Sequence, residues 1–340
     1  MTDSSTDFRT DSRSITRRIV VASALVAVAA CIPGLAKAQS AYPNKPVRMI
    51  VPYAAGGGID FFARAVGTSM SNILGQPLVI ENRPGAGTII GAEAVAKAEP
   101  DGYTLLLGDT STYASNQGLY RKLPYNAQKD FAPISLTGRF ASILLVNTDK
   151  LKVNSVKELI ELAKKEPGKI DYASAGVGSP FHLAAELFAQ TAGIKLNHVP
   201  YKGAGPAVQD LVGGQIGMMF IDYATGRSQL SNKNIKAIGV ASAEEFSMLP
   251  GVPPISATLP GYEAWAWQGF SAPAKTSPEA IKALNAAYAK AVSDPELKKK
   301  ISDAGIEMLH SSPEEMGKYL ESETAKWDKV IKAANIELQL

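Results

Sequence analysis

The sequence predicts an α/β fold in two lobes, each a sheet of mostly parallel strands with helices on both faces. Three observations carry this. The chain has 340 residues, about two domains at roughly 150 residues each. Short apolar runs alternate with amphipathic stretches along most of its length, the pattern of strands joined by crossover helices. One strand–loop–helix signature, V-P-Y-x-x-G-x, occurs at Val51–Gly57 and again at Val199–Gly205.

The first element is an address rather than part of the fold. Arg17 and Arg18 precede an apolar run from Ile19 to Ala30, Pro33-Gly34 breaks it, and Ala36-Lys37-Ala38 follows. A basic start, a short apolar core and an A-x-A site predict a secretory signal over residues 1–38, cleaved to leave Gln39 first. The run is shorter than the ~20 residues a membrane span needs. Two variants compete: Val28-Ala29-Ala30-Cys31 has the look of a lipoprotein box, and Arg17-Arg18 resembles a twin-arginine signal. Cleavage removes Arg9, Arg13, Arg17, Arg18 and Lys37 with Asp3, Asp7 and Asp11, so the formal charge drops from +3 to +1. It also removes Cys31, the one cysteine, which suits an oxidising compartment.

In the mature chain, Val47–Pro52, Leu78–Asn82 and Tyr103–Gly108 read as strands, with helices at Asp60–Leu74 and Thr88–Lys97 between them. Ser142–Asn147 is the next strand. Ser155–Glu166 is an amphipathic helix whose Ser155 and Glu158 are spaced as a capping box. Strands at Ile170–Ser174, Leu196–Tyr201, Met218–Asp222 and Ile235–Ala241 follow, with helices at Phe181–Ala192 and Pro206–Gly213. After an aromatic strand, Trp265–Ala272, come two long helices, Pro278–Ala304 and Pro313–Ala334, separated by a short strand at Ile306–His310. Each helix opens on Ser-Pro (Ser277-Pro278, Ser312-Pro313), a cap followed by a preset φ.

Composition narrows the chemistry. Lys plus Arg is 35 against 32 for Asp plus Glu, without the basic excess of a nucleic-acid binder. One cysteine and three histidines exclude a disulfide framework and a multi-Cys metal site. No G-x-S-x-G or zinc-protease motif occurs, Ser179 is followed by Pro180, and His182 is too close along the same helix to act as its base; an enzyme is not expected. Gly85-Ala86-Gly87-Thr88-Ile89-Ile90-Gly91, with Asp109 ending the next strand, imitates a dinucleotide fingerprint, but its spacing is one residue too long and Pro84 intrudes. Lys298-Lys299-Lys300 reads as a solvated helix face.

What remains is loops. Gly56-Gly57-Gly58 ends a strand and opens a helix, where backbone N–H groups and the helix dipole attract anions; Asp60 reads as that helix's N-cap. Ser174-Ala175-Gly176-Val177-Gly178-Ser179 repeats the arrangement, with His182 in the following first turn. His198 reads as structural and His310 as exposed. Such a lining, with Tyr53 and Tyr201 as aromatic walls, recognises a small polar solute.

Pro52–Asp60, Glu81–Gly87, Pro100-Asp101-Gly102-Tyr103 and Val199–Gly203 resemble the Bug family, the extracytoplasmic solute-binding receptors of tripartite tricarboxylate transporters. The resemblance spans residues 42–340. It implies a Venus-flytrap fold related to type II periplasmic binding proteins, with mixed or parallel sheets and two crossover strands. Domain 1 would comprise 39–141 and 267–340, and domain 2 would comprise 142–266. It also implies a periplasmic monomer that captures a small carboxylate (a dicarboxylate, aromatic or related organic acid) and passes it to integral-membrane transporter subunits, with no cofactor, metal or nucleic-acid partner. Carried over residue by residue, Tyr53, Ala54, Gly57, Gly58 and Asp60 form the domain 1 carboxylate side, flanked by Thr88, Thr110 and Ser111. Gly178, Ser179, His182, Tyr201 and Asp222 approach from domain 2. Thr88 stands where the family commonly has glycine. A sensor that signals to a membrane kinase is the alternative to a transport receptor.

Overall fold

A computed structural model describes residues 42–339; the export signal, Cys31 and the twin arginines lie outside them. Strands β1 (Val47–Val51), β2 (Leu78–Asn82), β3 (Thr104–Asp109), β4 (Phe131–Phe140), β10 (Ala266–Pro273) and β11 (Ile306–Met308) form one sheet, in the order β11-β4-β10-β3-β1-β2. Strands β5 (Ser142–Asn147), β6 (Asp171–Ser174), β7 (Asn197–Pro200), β8 (Met218–Asp222) and β9 (Ile235–Val240) form the second, in the order β7-β6-β8-β5-β9. Both sheets are mixed. β1 runs parallel to β2 and β3, whereas β10 runs antiparallel to β3 and β4. β6 runs parallel to β7 and β8, whereas β5 is antiparallel to β8 and β9. The chain passes from the first sheet to the second at Ala141, between β4 and β5, and returns to the first at β10.

Eight helices of eight or more residues cover the sheets among the described residues: α1 (Gly58–Leu74), α2 (Ile89–Ala96), α3 (Val156–Lys165), α4 (Pro180–Ala192), α5 (Ala204–Val212), α6 (Pro278–Val292), α7 (Pro295–Asp303) and α8 (Pro313–Ala333). None of the described helices is long and apolar enough to cross a membrane. In α1, Phe62, Ala63, Val66 and Met70 recur at helical spacing and are fully buried. They pack on Met49, Val51, Leu105 and Leu107 of the sheet and on Leu284 and Tyr288 of α6. Each large apolar side chain buried this way contributes about 1.5–3 kcal/mol. α8 covers the other face through Met316, Leu320 and Trp327. Its Glu323 accepts from both buried indoles, Trp267 Nε1 at 2.7 Å and Trp327 Nε1 at 2.9 Å, so its charge meets two donors.

The secondary structure differs from expectation at three places. β4 was not foreseen, because Pro133 and Gly138 interrupt its pattern; it tolerates them through two register shifts against β10. The single helix expected over Pro278–Ala304 is two: Pro295 supplies no N–H, and Asp294 caps a new start through Glu296 N and Leu297 N. The Ser155–Glu158 box is only half made, since Glu158 Oε2 accepts from Asn154 N rather than from Ser155 N. The complete box is at Ser312–Glu315.

Candidate functional site

Helix capping picks out a candidate site. Five of the eight helices begin with a side-chain cap: Ser155, Ser179, Ser277, Asp294 and Ser312. α1, α2 and α5 begin at Gly57, Thr88 and Gly203 with no side-chain cap. These three follow β1, β2 and β7, at the carboxyl ends of parallel strands, where open α/β sheets bind ligands. A cap at this position satisfies first-turn N–H groups and is worth about 1 kcal/mol. Its omission leaves donors and the positive end of the dipole available to an anion. Two of the three are the V-P-Y loops.

In the first lobe, Ala54, Gly57 and Gly58 are exposed at the start of α1. Asp60 is not the N-cap. It lies in the first turn, 3% exposed, and its carboxylate folds back to accept from Gly56 N at 2.9 Å. Arg64 grips it from the next turn, Nε to Oδ2 at 3.0 Å and Nη2 to Oδ1 at 2.9 Å, and Asn82 Nδ2 donates to Oδ1 at 2.9 Å. Arg64 above all, then the Gly56 N–H and Asn82, hold this carboxyl down at about 2 against its burial. Asn82 also donates to Tyr53 O at 3.0 Å. Asp60 therefore shapes the glycine loop, and its four contacts use both oxygens.

Behind the loop, Tyr53 OH donates to Asp109 Oδ2 at 2.5 Å. Asp109 Oδ1 accepts from Thr112 N at 3.0 Å and Thr112 Oγ1 at 2.9 Å. Burial pushes the Asp109 carboxyl up, against the pull of these donors, and pushes the Tyr53 phenol far up as well. Thr112 Oγ1 continues to Thr88 Oγ1 at 3.0 Å, and Asn116 Nδ2 donates to Gly87 O at 2.8 Å. Thr88 adopts φ 79°, a left-handed conformation that costs a non-glycine residue about 1 kcal/mol; its buried hydroxyl is anchored to Thr112 and Asn116. Thr110 Oγ1 accepts from Trp267 N at 3.0 Å, fastening the end of β3 to the returning strand. Ser111 is buried beside it in a π-helical turn, Ser111–Ser115. Asp109, Thr112, Asn82 and Arg64 were not expected at the site. Only the Asp60–Arg64 pair carried a sequence signal, its i,i+4 spacing.

The glycines of the nucleotide-like motif have another use. A Cβ on Gly91 would stand 2.8 Å from Pro52 Cβ and 2.9 Å from Arg83 O, so this glycine lets α2 press against the end of β1.

In the second lobe, Ser179 caps α4 by accepting from His182 N at 3.3 Å. Gly178 N donates to His182 Nδ1 at 2.9 Å. The His182 ring, 3% exposed, stacks on His198 at 3.8 Å and 10°. Tyr201 OH donates to Asp210 Oδ2 at 2.5 Å, so this hydroxyl is engaged within its own lobe. Burial, reinforced by Asp210, pushes that phenol up to about 12. Asp222 Oδ1 accepts from Thr225 N at 2.8 Å and caps the short helix Tyr223–Gly226. Two contacts join the elements of the two sheets: Gly178 lies against Leu119 and Leu338, and Arg227 Nη1 donates to Asp303 O at 3.3 Å. A cavity of about 540 Å³ lies away from the glycine loops, beside the crossing segments, lined by Arg139 and Trp265 with residues of the 242–248 loop, α7 and β11. Arg139 lies over the Trp265 ring at 4.1 Å and pairs with Glu307. Among the described residues no group of three or more His, Cys, Asp or Glu could hold a metal ion.

Known proteins share this chain's sequence and fold. Residues 62–336 match a family model described as "Tripartite tricarboxylate transporter family receptor". Protein BugT of Bordetella pertussis is 33% identical over 330 residues, 96% of this chain and 100% of that protein. A structure described as "R. palustris Rpa4515 with adipate" superposes with a TM-score of 0.76 at 33% identity, over 87% of this chain and 100% of that one. MatC (Rpa3494) from Rhodopseudomonas palustris, with bound malate, gives 0.72 at 31% identity, over 85% and 100%.

Proposed function

The chain belongs to the tripartite tricarboxylate transporter receptor family, and from that premise we propose that it is a periplasmic receptor for a small organic carboxylate, which it hands to membrane transporter subunits. One observation carries the ligand class. The Gly56–Gly58 turn presents an uncapped 17-residue helix whose nearest carboxylate, Asp60, is turned back and neutralised. A carboxylate entering there replaces the missing cap and meets the helix dipole without facing a free negative charge. The adipate and malate complexes of two relatives support the same class.

In this reading residues 39–141 with 267–340 form one domain and 142–266 the other. Tyr53, Ala54, Gly57, Gly58 and Ser111 line the first side. Thr88, Thr110 and Asp60 hold it in shape. Gly178, Ser179, Tyr201 and Asp222 belong to the second side, and His182 supports them from behind. The protein works as a monomer, performs no chemistry on its solute and needs no cofactor.

A thermal-shift panel of mono-, di- and aromatic carboxylates tests this. A ligand at 1,000 times its dissociation constant stabilises by about 4 kcal/mol and raises Tm by several degrees at this size. A panel with no response in any class overturns the carboxylate assignment.

A further inference from the structure

The second lobe carries a device that transport of a carboxylate does not by itself require. Three aromatic rings lie in a pile under the Ser174–Ser179 loop. Tyr172 of β6 stacks on His198 of β7 at 4.9 Å, and His198 stacks on His182 of α4 at 3.8 Å, nearly parallel. Each imidazole also holds a point of the loop. His182 Nδ1 accepts from Gly178 N at 2.9 Å, so this nitrogen carries no proton. His198 Nε2 is 2.7 Å from Ser174 Oγ. That hydroxyl in turn lies 3.2 Å from Gly176 N and 3.0 Å from Gly176 O. Gly176 and Gly178 adopt φ 138° and 76°, so the loop holds a shape that its local sequence does not hold alone.

We infer that His182 and His198 are positioning residues of the cleft: neutral and stacked they hold the Gly176–Ser179 loop in place, and protonation of His182 releases it. The inference rests on reading this loop as part of the carboxylate site. A proton on His182 Nδ1 turns an acceptor into a donor aimed at the Gly178 N–H, and a charge on either ring faces the other ring at van der Waals distance. The neighbours offer little relief. From its own helix, His182 faces Glu186, whose Oε1 is 3.8 Å from Nε2 but already accepts from Tyr172 OH at 2.5 Å. From β6 and β7 it faces Tyr172 and His198. His198 faces Tyr172, Ser174 and His182. Burial, with His198 adding to it, pulls the His182 imidazolium down to about 3, and burial pulls His198 down to about 4. The geometry gives the loop an acid-release step separate from global unfolding.

Amide hydrogen exchange on the ligand-free mature protein tests this without needing a ligand. Between pH 7 and pH 4, after correction for intrinsic rates, protection of residues 175–179 should fall at least about tenfold while β5 stays protected. His182→Asn places an amide oxygen near the position of Nδ1 and does not titrate, so its loop should keep its protection at pH 4. His182→Leu has no acceptor and should show the exposed loop already at pH 7. Loss of loop and β5 protection in step, or an acid response in His182→Asn equal to that of the wild type, overturns the inference; both are readable even if His182→Leu does not fold. A second arm measures adipate affinity at both pH values in wild type and His182→Asn, which share any effect of ligand protonation. The wild type should lose at least about tenfold more affinity than the variant, and equal losses count against the inference. Absence of adipate binding at pH 7 counts against adipate as the solute, and the exchange arm then decides the loop mechanism alone.

Discussion

The glycine loops of the two lobes are tied down by opposite chemistries. In the first, a carboxylate is the anchor: Asp60 gathers Gly56 N, Asn82 and the Arg64 guanidinium. In the second, two neutral imidazoles do the same work, His182 on Gly178 and His198 on Ser174. A charged clamp suits the lobe that offers a helix dipole to an anion, because Arg64 cancels the one carboxylate next to the dipole. A neutral clamp adds no charge to the other wall, and it makes that wall sensitive to acid. Glycine loops in similar strand-to-helix positions thus respond to different insults.

The largest expected effect breaks the first loop's offer to a ligand. Gly57 has φ −81° and room for a Cβ, so Gly57→Asp places a built-in cap on α1. Carboxylate affinity should fall about a hundredfold by calorimetry while stability rises by a few tenths of a kcal/mol; unchanged affinity removes α1 from the site. Asp60→Ala comes next. It strands Arg64, Asn82 and Gly56 N, and in urea unfolding should cost about 2–3 kcal/mol, less than a fully buried pair because Arg64 is half-exposed. Asp60 has a depressed folded value, so its contribution is present above about pH 4 and fades as pH falls toward about 2.

The acid limb sharpens the contrast. Both histidines sit below the ordinary value of 6.5 in the folded protein. Their share of stability is therefore complete above that pH and is lost progressively from 6.5 toward 4 and 3. By pH 4 the loss should be on the order of 2 kcal/mol, discounted for the partly exposed His198. Urea midpoints across this range should slope in the wild type and slope less in His182→Asn, where only His198 still titrates in this stack. A complete cap elsewhere sets the scale: Ser312→Ala should cost about 1 kcal/mol with no change in binding. The smallest effect is Thr88→Gly. It relieves the left-handed strain but removes the bonds to Thr112 and Asn116, so the unfolding free energy should change by less than about 1 kcal/mol.

Much of this was legible in the sequence. Strand–helix alternation, the V-P-Y loops and the Ser-Pro helix starts are local patterns, and local patterns survive folding. What escaped depends on partners distant in sequence. Asp60 is not a cap because its carboxylate turns back to Gly56 N and Arg64 and meets Asn82, which arrives from the neighbouring strand. Thr110, expected to flank the ligand, has its hydroxyl bonded by Trp267 N, 157 residues away. The stack of His182 on His198 exists only once β7 pairs with β6 beneath α4. The break at Pro295 was in plain view, outweighed by the continuous helical pattern around it.

The packing around the three tryptophans has a spectroscopic consequence. Trp267 and Trp327 are pinned to one buried carboxylate in the first lobe, while Trp265 lies at the crossing under the Arg139 guanidinium, with its N–H on Glu263. On the proposed reading, rotation of the lobes about the crossing segments shifts Arg139 relative to that indole, while Glu263 moves with it and the other two indoles keep constant surroundings. The protein therefore contains its own emission probe of closure, and Trp265→Phe should silence the ligand-induced change while preserving most of the total fluorescence.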